Sequence, residues 1–149
     1  MIEQRDDIDR IMSVMASAFD PAFGEAWTRR QVEDALLTGL CHYWLLGNAA
    51  QSTGFYLSRH VAGEEELLLI AVVPQQRRSG LGRQLLQQFM DDARTRGATR
   101  LLLEMREDNP AASLYRGHNF EPIGKRANYY RNGAGFARDA ITFACDIAG

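Results

Sequence analysis

The chain has 149 residues, 46% of them hydrophobic, which is enough for one continuous core and predicts one domain over 1–149. Its formal net charge of -2 argues against direct nucleic-acid or membrane partners, because it provides no overall basic field. Two cysteines are too few for a disulfide framework, no cysteine or histidine spacing indicates a metal site, and no apolar stretch approaches a membrane span. We therefore expect a cytoplasmic protein, monomeric or weakly dimeric, without a metal centre.

The first third of the chain predicts two helices. Apolar residues recur three and four positions apart over 6–19, which favours one buried helix face with Asp6 or Asp7 as its cap. Thr28 is a typical N-cap residue for a second helix that ends at Gly39. The apolar positions expected on the buried face of that second helix are Val32, Leu36 and Leu37.

Strands dominate the next section. Apolar runs over 40–72 are separated by turn-forming residues at 47–54 and at Gly63, which predicts an antiparallel meander of three strands. The acidic run 64–66 indicates a solvated turn, with a patch that attracts a cationic peptide as the alternative.

A helix and a further strand follow the meander. The segment 81–96 carries a helical apolar stripe ended by Gly97, and 101–105 is a compact apolar strand. A strand, a helix and a strand in this order place their two strands parallel, so 70–72 and 101–105 should run in the same direction. The stripe consists of Leu85, Leu86, Phe89, Met90 and Ala93.

The last third predicts a short helix and two strands. The helix covers 109–115, with Pro110 at its first position, where the missing N–H group is harmless. The strands cover 120–130 and 138–147 and are joined by the glycine-containing connection 131–135.

The segment 70–83 joins a strand to a helix and carries the clearest functional pattern. Gly80 and Gly82 remove side chains where backbone amides could approach a ligand, and a helix start attracts anions. The segment lacks the nucleotide-triphosphate loop and the third glycine of dinucleotide-binding turns, which favours a diphosphate on another carrier. The alternative is a solvated turn. The arginines that add positive charge here are Arg77, Arg78 and Arg83.

Glu104 is a single carboxylate in the apolar strand 101–105. A strand that is apolar on both faces is usually covered on both, so Glu104 should be partly shielded from water. A shielded carboxylate suits a general base, because desolvation raises its pKa toward the range in which such a base works well. The alternative is a structural carboxylate paired with Arg100 or Arg106.

Tyr115 lies on the predicted short helix and is a candidate general acid. The alternative is a core aromatic residue whose hydroxyl is held by a hydrogen bond.

The spacing Arg77-x-x-Gly80-x-Gly82 resembles the Arg/Gln-x-x-Gly-x-Gly/Ala signature of the GNAT superfamily of acetyltransferases. In that superfamily the signature holds the pyrophosphate of acetyl-coenzyme A, and the preceding strand offers backbone groups to the pantetheine arm. The resemblance therefore implies acetyl-coenzyme A as the cosubstrate. The cofactor-binding residues that it implies are Ile70, Ala71, Val72, Arg77, Arg78, Ser79, Gly80, Leu81, Gly82, Arg83, Asn109 and Tyr115.

Within the superfamily, the second half of the chain resembles the ribosomal-protein-alanine N-acetyltransferases of the RimI type. The matching residues include Leu103-Glu104-Met105-Arg106, Asn109, Leu114-Tyr115, Phe120 and Asn128-Tyr129-Tyr130. The resemblance implies that Glu104 is the base, Tyr115 the acid and Asn109 a cofactor contact. Where that family usually has glycine before the phenylalanine, this chain has Asn119, which tolerates the left-handed conformation. Candidate acceptor-binding residues are Glu25, Trp27, Tyr129 and Tyr130, with packing as the alternative for Trp27.

The fold expected from these observations is an α/β GNAT fold. Its mixed, mainly antiparallel sheet would have six or seven strands, splayed in the middle where 70–72 and 101–105 run parallel, with helices on both faces.

The function implied is acetyl transfer to a primary amine, with the N-terminal α-amine of a protein as the favoured acceptor and a small-subunit ribosomal protein alanine as the candidate. Alternative acceptors are a small amine, an antibiotic or a lysine side chain. A non-catalytic coenzyme A sensor and a phosphate-binding interaction module also stay open.

Overall fold

The structure is a computed structural model that describes residues 2–19, 25–77, 79–131, 135 and 137–147, without the side chains of 2–5 and 131. Residues 132–134 of the predicted last connection lie outside this range. In chain order the elements are α1 (Ile2–Ala18), α2 (Arg29–Leu37), β1 (Cys41–Gly47), β2 (Ser52–Val61), β3 (Glu64–Val72), α3 (Leu81–Thr95), β4 (Arg100–Arg106), α4 (Ala112–Arg116), β5 (Glu121–Arg131) and β6 (Ala137–Asp146).

The first two helices lie where the apolar spacing predicts them. α1 already begins at Ile2, so capping by Asp6 or Asp7 was a wrong prediction. Thr28 does cap α2: its hydroxyl accepts the Gln31 backbone N–H at 3.2 Å, while the Gln31 side chain accepts the Thr28 N–H at 2.7 Å. Leu37 is 81% exposed, so its predicted place in the core was wrong.

The sheet has six strands in the order β1-β2-β3-β4-β6-β5, which confirms the predicted mixed sheet. The β3–β4 pair is parallel, and the four other strand pairs of the described residues are antiparallel. The parallel pairing covers Glu64–Leu67 against Arg100–Leu103 and then stops. β3 also bulges at Leu68, since Ser58 pairs with Leu67 and Leu57 pairs with Leu69. A bulge bends a strand, and here it coincides with the predicted splay.

Two apolar clusters cover the faces of the sheet. α1 and α2 pack on one face through Ile8, Ile11, Val14, Met15 and Val32. α3 and α4 pack on the other face, and all five residues of the predicted α3 stripe are buried. The prediction of helices on both faces is confirmed. None of the described helices combines the length and apolar character needed to cross a bilayer.

The turn around α4 differs in detail from its prediction. The helix begins at Ala112, so Pro110 lies in the preceding turn and not at the first helical position. Asn109 shapes that turn by accepting the Ala111 backbone N–H at 2.9 Å on its side-chain oxygen. Asn119 adopts a φ of 70°, as expected for a residue that replaces glycine, and leads into the buried Phe120.

A buried ion pair lies where β3 and β4 are paired. The prediction of a solvated turn over 64–66 was wrong, because these residues begin β3 and Glu65 is fully buried. Arg96, which follows α3, donates to both oxygens of this carboxylate, and Ser58 donates to Oε2 at 2.6 Å. Burial raises the pKa of Glu65, but the hydrogen bonds from Arg96, Ser58 and His60 outweigh it and hold the pKa below its ordinary value.

Replacing this carboxylate tests how much the buried pair stabilises the fold. We expect Glu65→Gln to lower the free energy of unfolding by about 3 kcal/mol at neutral pH, because it leaves Arg96 without a buried counter-ion. Urea denaturation measures the change. The neighbouring Glu64→Gln is the control and should change stability by less than about 1 kcal/mol, because its ion pair with Arg100 is half exposed.

The same pair should depend on pH in a defined direction. The folded-state pKa of Glu65 is lowered, so the stabilisation is present above the unfolded pKa of about 4.3 and is lost as the pH falls through the folded value. The stability difference between wild type and Glu65→Gln should therefore shrink in acid. An unchanged difference down to strongly acidic pH would contradict the assignment.

Candidate functional site

The separation of β3 from β4 opens a cleft of about 450 Å³. Its walls are Glu66 to Ile70 of β3 and Leu103 to Met105 of β4. α4 contributes Tyr115, and the segment before it contributes Asn109. The remaining lining comes from the end of α1, the connection to α2 and β5, including the predicted acceptor residues Glu25, Trp27, Tyr129 and Tyr130.

Glu104 faces this cleft with 17% of its side chain exposed, which agrees with the expected shielding. Thr142 lies opposite it on β6 and donates to Oε2 at 3.2 Å. The ion-pair partners proposed from sequence were wrong, because the same oxygen lies 3.0 Å from Nε of Arg126 on β5. Glu104 is thus held by contacts from two strands, β5 and β6, and still lines the cleft.

Tyr115 lies both in the core and at the wall of the cleft. Its ring is in the core, edge-on to Phe120 at 6.0 Å and tilted against Phe143 at 6.4 Å. The residue also lines the cleft. Burial raises the pKa of Tyr115, with a smaller contribution from Glu25, so the phenol keeps its proton at neutral pH.

A second carboxylate, Glu25, enters the cleft from the connection between α1 and α2. It accepts a hydrogen bond from Nη1 of the buried Arg106 at 2.8 Å. Burial raises the pKa of Glu25 in spite of the opposing charge of Arg106. Arg106 also binds Asp108, which lies 3.2 Å from Nε of Arg138. The two arginines thus join the connection before α2 to the end of β4 and to β6.

The two tyrosines of β5 are positioned by an irregular stretch of pairing with β6. Arg126 pairs with Ala140 and Tyr130 with Arg138, so three residues of β5 oppose one of β6. Asn128 has a φ of 52°, and its N–H donates to Oδ1 of Asp139 at 2.8 Å. The irregularity turns both rings toward the cleft, edge to face at 5.2 Å. Burial, Glu25 and Glu104 together raise the pKa of Tyr130 to about 12.

The turn before α3 leaves the first backbone amides of the helix without a capping side chain. Gly80 is the N-cap of α3 with a φ of 86°, a conformation that favours glycine, and it supplies no capping side chain. The first turn of α3, Leu81 to Arg83, contains no acidic residue. The N–H groups at a helix start have no partners within the helix, so they form a ready site for an anion.

The arginines of this turn have different surroundings. Arg77 donates to the Ala18 carbonyl at 2.6 Å and so links the turn to the end of α1. Arg83 is exposed on the first turn of α3. Ser79 donates its hydroxyl to the Gln76 carbonyl, whereas Arg78 lies outside the described residues.

The end of β3 links this turn to the cleft. Ile70, Ala71 and Val72 pair with β2 on one side, while their other edge lies beyond the last β3–β4 pair. Main-chain groups on that edge can therefore pair with an extended ligand, as an added strand would. The described residues contain no cluster of histidine, cysteine and carboxylate side chains that could hold a metal.

Sequence reasoning missed the partners of the cleft carboxylates. These partners are Arg126 and Thr142 for Glu104, Arg106 for Glu25, and Arg59, whose Nη2 lies 2.7 Å from Oε1 of Glu66. Thr142 could have been found from the register of β6 against β4. The arginine partners depend on the three-dimensional arrangement.

Comparisons with known proteins agree with this geometry. Residues 39–122 match the family described as acetyltransferase (GNAT) domain. The [ribosomal protein bS18]-alanine N-acetyltransferase of Salmonella typhimurium is 41% identical over 95 residues, which cover 63% of this chain and 64% of that protein. The matched region thus spans less than two thirds of that relative. A Bacillus subtilis relative is 30% identical over 127 residues, covering 84% of this chain and 82% of its own.

The fold has a counterpart among solved structures. The ribosomal-protein-S18-alanine N-acetyltransferase from Escherichia coli superposes with a TM-score of 0.84 at 30% sequence identity. The match covers 96% of this chain and 89% of that one. The layout of the cleft therefore rests on an architecture seen experimentally.

The two glycines of the turn should respond differently to alanine. Gly80→Ala should lower the free energy of unfolding by about 1 kcal/mol, because the left-handed conformation is strained for a residue with Cβ. Gly82→Ala should be neutral or stabilising by up to about 1 kcal/mol, because its Cβ would meet Leu114 at an ordinary 3.8 Å and alanine favours the helix. Urea denaturation distinguishes the two, and equal destabilisation would contradict the conformation assigned to Gly80.

Proposed function

The chain belongs to the GNAT acetyltransferase family, and we propose that it transfers the acetyl group of acetyl-coenzyme A to the N-terminal α-amine of a protein. The resemblance inferred from the sequence is thereby confirmed at the level of the family. The observation that carries the proposal is the cleft, which Glu104 and Tyr115 line and from which the unpaired edge of β3 leads toward the start of α3.

The proposed cofactor-binding surface runs along one path. The amides of Leu81, Gly82 and Arg83 would take the diphosphate, with charge from Arg78 and Arg83. Ile70, Ala71 and Val72 would pair with the pantetheine arm along the open edge of β3. Among the other residues inferred for this surface, Arg77 and Ser79 would hold the turn in shape, and Asn109 would contact the arm near the sulfur.

The proposed reaction is a direct transfer within the cleft. The α-ammonium of the acceptor gives a proton to Glu104, directly or through water, and its nitrogen then forms a bond to the acetyl carbon. The C–S bond breaks, the departing thiolate takes the proton of the Tyr115 hydroxyl, and the second proton that the acetylated nitrogen loses passes through water to the Tyr115 oxygen, which restores the phenol. The raised pKa of Tyr115 means that this proton is present at every pH near neutrality.

The proposed acceptor site lies on the side of the cleft formed by Glu25, Trp27, Tyr129 and Tyr130. Carboxylates and aromatic faces both attract a cation, which suits a protonated amine. The names of the relatives support an acceptor alanine at the N-terminus of a small-subunit ribosomal protein. We propose that residues 1–149 perform this reaction as one domain.

The function is tested with acetyl-coenzyme A and short peptides that differ in their first residue, with products measured by mass spectrometry. Acetylation at the α-amine, strongest for peptides that begin with alanine, is the expected result. Acetylation confined to a lysine side chain or to a small amine would assign a different acceptor. Binding of the coenzyme without any transfer would indicate a sensor.

The assigned base and acid are tested by near-isosteric substitutions. Glu104→Gln and Tyr115→Phe should each lower kcat by a factor of about 100 to 10,000, because each removes a proton transfer. The loss in Tyr115→Phe should persist across pH 6 to 9 (roughly the assay range), since its raised pKa keeps the wild-type phenol protonated there. Full turnover in both variants at all pH values would refute the roles.

Two controls distinguish chemistry from disturbance of the fold. Glu121→Gln changes an exposed carboxylate of β5 that does not line the cleft, and Tyr43→Phe changes a tyrosine bonded to Asp7 on the α1 side. Both should keep kcat within about twofold of wild type. A comparable loss in the controls would indicate that the main variants act through stability.

Cofactor binding is tested by thermal unfolding. At about 100 times its dissociation constant, acetyl-coenzyme A should stabilise the protein by about 2.7 kcal/mol. Acetyl-pantetheine at the same concentration should stabilise it less, because it lacks the diphosphate that the α3 amides would hold. Equal shifts with both compounds, or a shift matched by sulfate alone, would contradict diphosphate binding at this turn.

A further inference from the structure

The proposed base already has a cation beside it. Nε of Arg126 lies 3.0 Å from Oε2 of Glu104, on the side of the cleft that Tyr129 and Tyr130 line. The acceptor ammonium would need the same carboxylate and the same negative charge. The Arg126 guanidinium and the acceptor ammonium would therefore compete for the Glu104 carboxylate.

Local structure holds this arginine in place. The guanidinium carbon of Arg126 lies 5.1 Å from the centre of the Tyr129 ring, a cation–π distance. Tyr129 reaches that position because the irregular pairing of β5 with β6 inserts extra residues after Arg126. Asp139 accepts the Asn128 N–H at 2.8 Å and so fixes the inserted segment. The contact between Arg126 and Tyr129 thus follows from the irregular pairing of β5 with β6 beside the cleft.

The Arg126 side chain can nevertheless move away from Glu104. Its side chain is 62% exposed, whereas that of Glu104 is 17% exposed. Ion pairs with an exposed member contribute little net free energy, so an incoming cation can replace this one. Thr142 would still donate to the carboxylate after the exchange.

Among the residues that the structure describes, the other charged or titratable groups around Glu104 do not supply a comparable cation. Glu25, Glu66, Tyr115 and Tyr130 line the same cleft from four different segments. The arginines Arg106 and Arg59 pair with Glu25 and Glu66, respectively. Arg126 is therefore the positive group that the structure places on the proposed base.

We propose that Arg126 is a positioning residue that occupies the ammonium subsite at Glu104 until the acceptor amine displaces it. The inference rests on the proposed function, since it takes Glu104 as the group that receives the acceptor. In the unliganded protein Arg126 holds the Glu104 carboxylate in place. In the acceptor complex the guanidinium swings out along the Tyr129 ring into solvent.

Steady-state kinetics with an alanine-initiated peptide separate this role from a structural one. Arg126→Gln should lower the KM for the peptide about threefold to fivefold, because the competing cation is gone, and change kcat by less than about twofold. Arg126→Lys keeps the charge and should restore the wild-type KM. A raised KM in Arg126→Gln, or no change, would overturn the proposal.

Lys125→Gln is a matched control for loss of a positive charge on the same strand. Lys125 is also 62% exposed and pairs with a carboxylate, Asp139, at 3.0 Å, but Asp139, unlike Glu104, does not line the cleft. Its KM for the peptide should stay at the wild-type value. If Lys125→Gln lowered KM as much as Arg126→Gln, a general charge effect would replace the displacement mechanism.

A binding measurement tests the inference without turnover. The probes are alaninamide, which carries the ammonium group, and N-acetylalaninamide, which does not, each added at high concentration to the wild-type chain. The Arg126 Nε–H resonance, assigned by its loss in Arg126→Lys, should shift with alaninamide alone. A shift with both probes or with neither would overturn the proposal.

The two measurements distinguish failure of the inference from failure of the proposed function. Absence of acetyl transfer by the wild type would refute the function, while a selective shift with alaninamide would still support displacement of Arg126. Transfer by the wild type together with an unchanged KM in Arg126→Gln would refute the inference alone.

Discussion

The cleft exists because the parallel pairing of β3 and β4 ends after four residues. From Leu68 onward β3 has a hydrogen-bonding partner strand on one edge only, and the facing stretch of β4 beyond Leu103 pairs with β6 alone. Main-chain N–H and C=O groups that lose a strand partner must find water or a ligand. The separation therefore creates both the space and the polar edge that an extended cosubstrate requires.

The charges around this opening are unequal, although the chain as a whole carries a net charge of only -2. The start of α3 offers unpaired amides and the exposed Arg83, which suit a diphosphate. The proposed acceptor side instead presents Glu25, Glu66 and Glu104, each paired with an arginine. Under the proposed function, an anionic cosubstrate would be directed to the start of α3 and a cationic acceptor to the carboxylates of the cleft.

Much of this arrangement could be predicted from the sequence where the signal was local. The α3 stripe follows from its spacing, the shielding of Glu104 from its place in an apolar strand, and the position of Gly80 at the start of α3 from the strand–turn–helix pattern. Predictions were wrong where tertiary packing decides whether a side chain is buried. Neither the exposure of Leu37 nor the burial of Glu65 can be derived from periodicity, because each depends on what covers it.

The arginine partners were missed for a related reason. The Arg106–Glu25 contact joins residues 81 positions apart, so no local pattern contains it. The Arg126–Glu104 contact crosses β6 diagonally and depends on an irregular register between β5 and β6. Register in such a stretch is set by how the strands pack and by the turn that joins them, and the sequence pattern alone does not specify it.

At its closed end, where β3 and β4 are paired, the cleft is held in a way that can fix its width before any ligand binds. Glu65 lies within the paired stretch of β3, and its bonds to Arg96 tie that stretch to the end of α3, just before β4 begins. The Thr99 N–H adds a hydrogen bond to the Gly63 carbonyl at 2.8 Å at the same end. Two strands joined rigidly at one end and bent apart by a bulge at the other have a set separation. A preformed opening of this kind lets binding energy position the reactants, since little of it is consumed in forcing the strands apart.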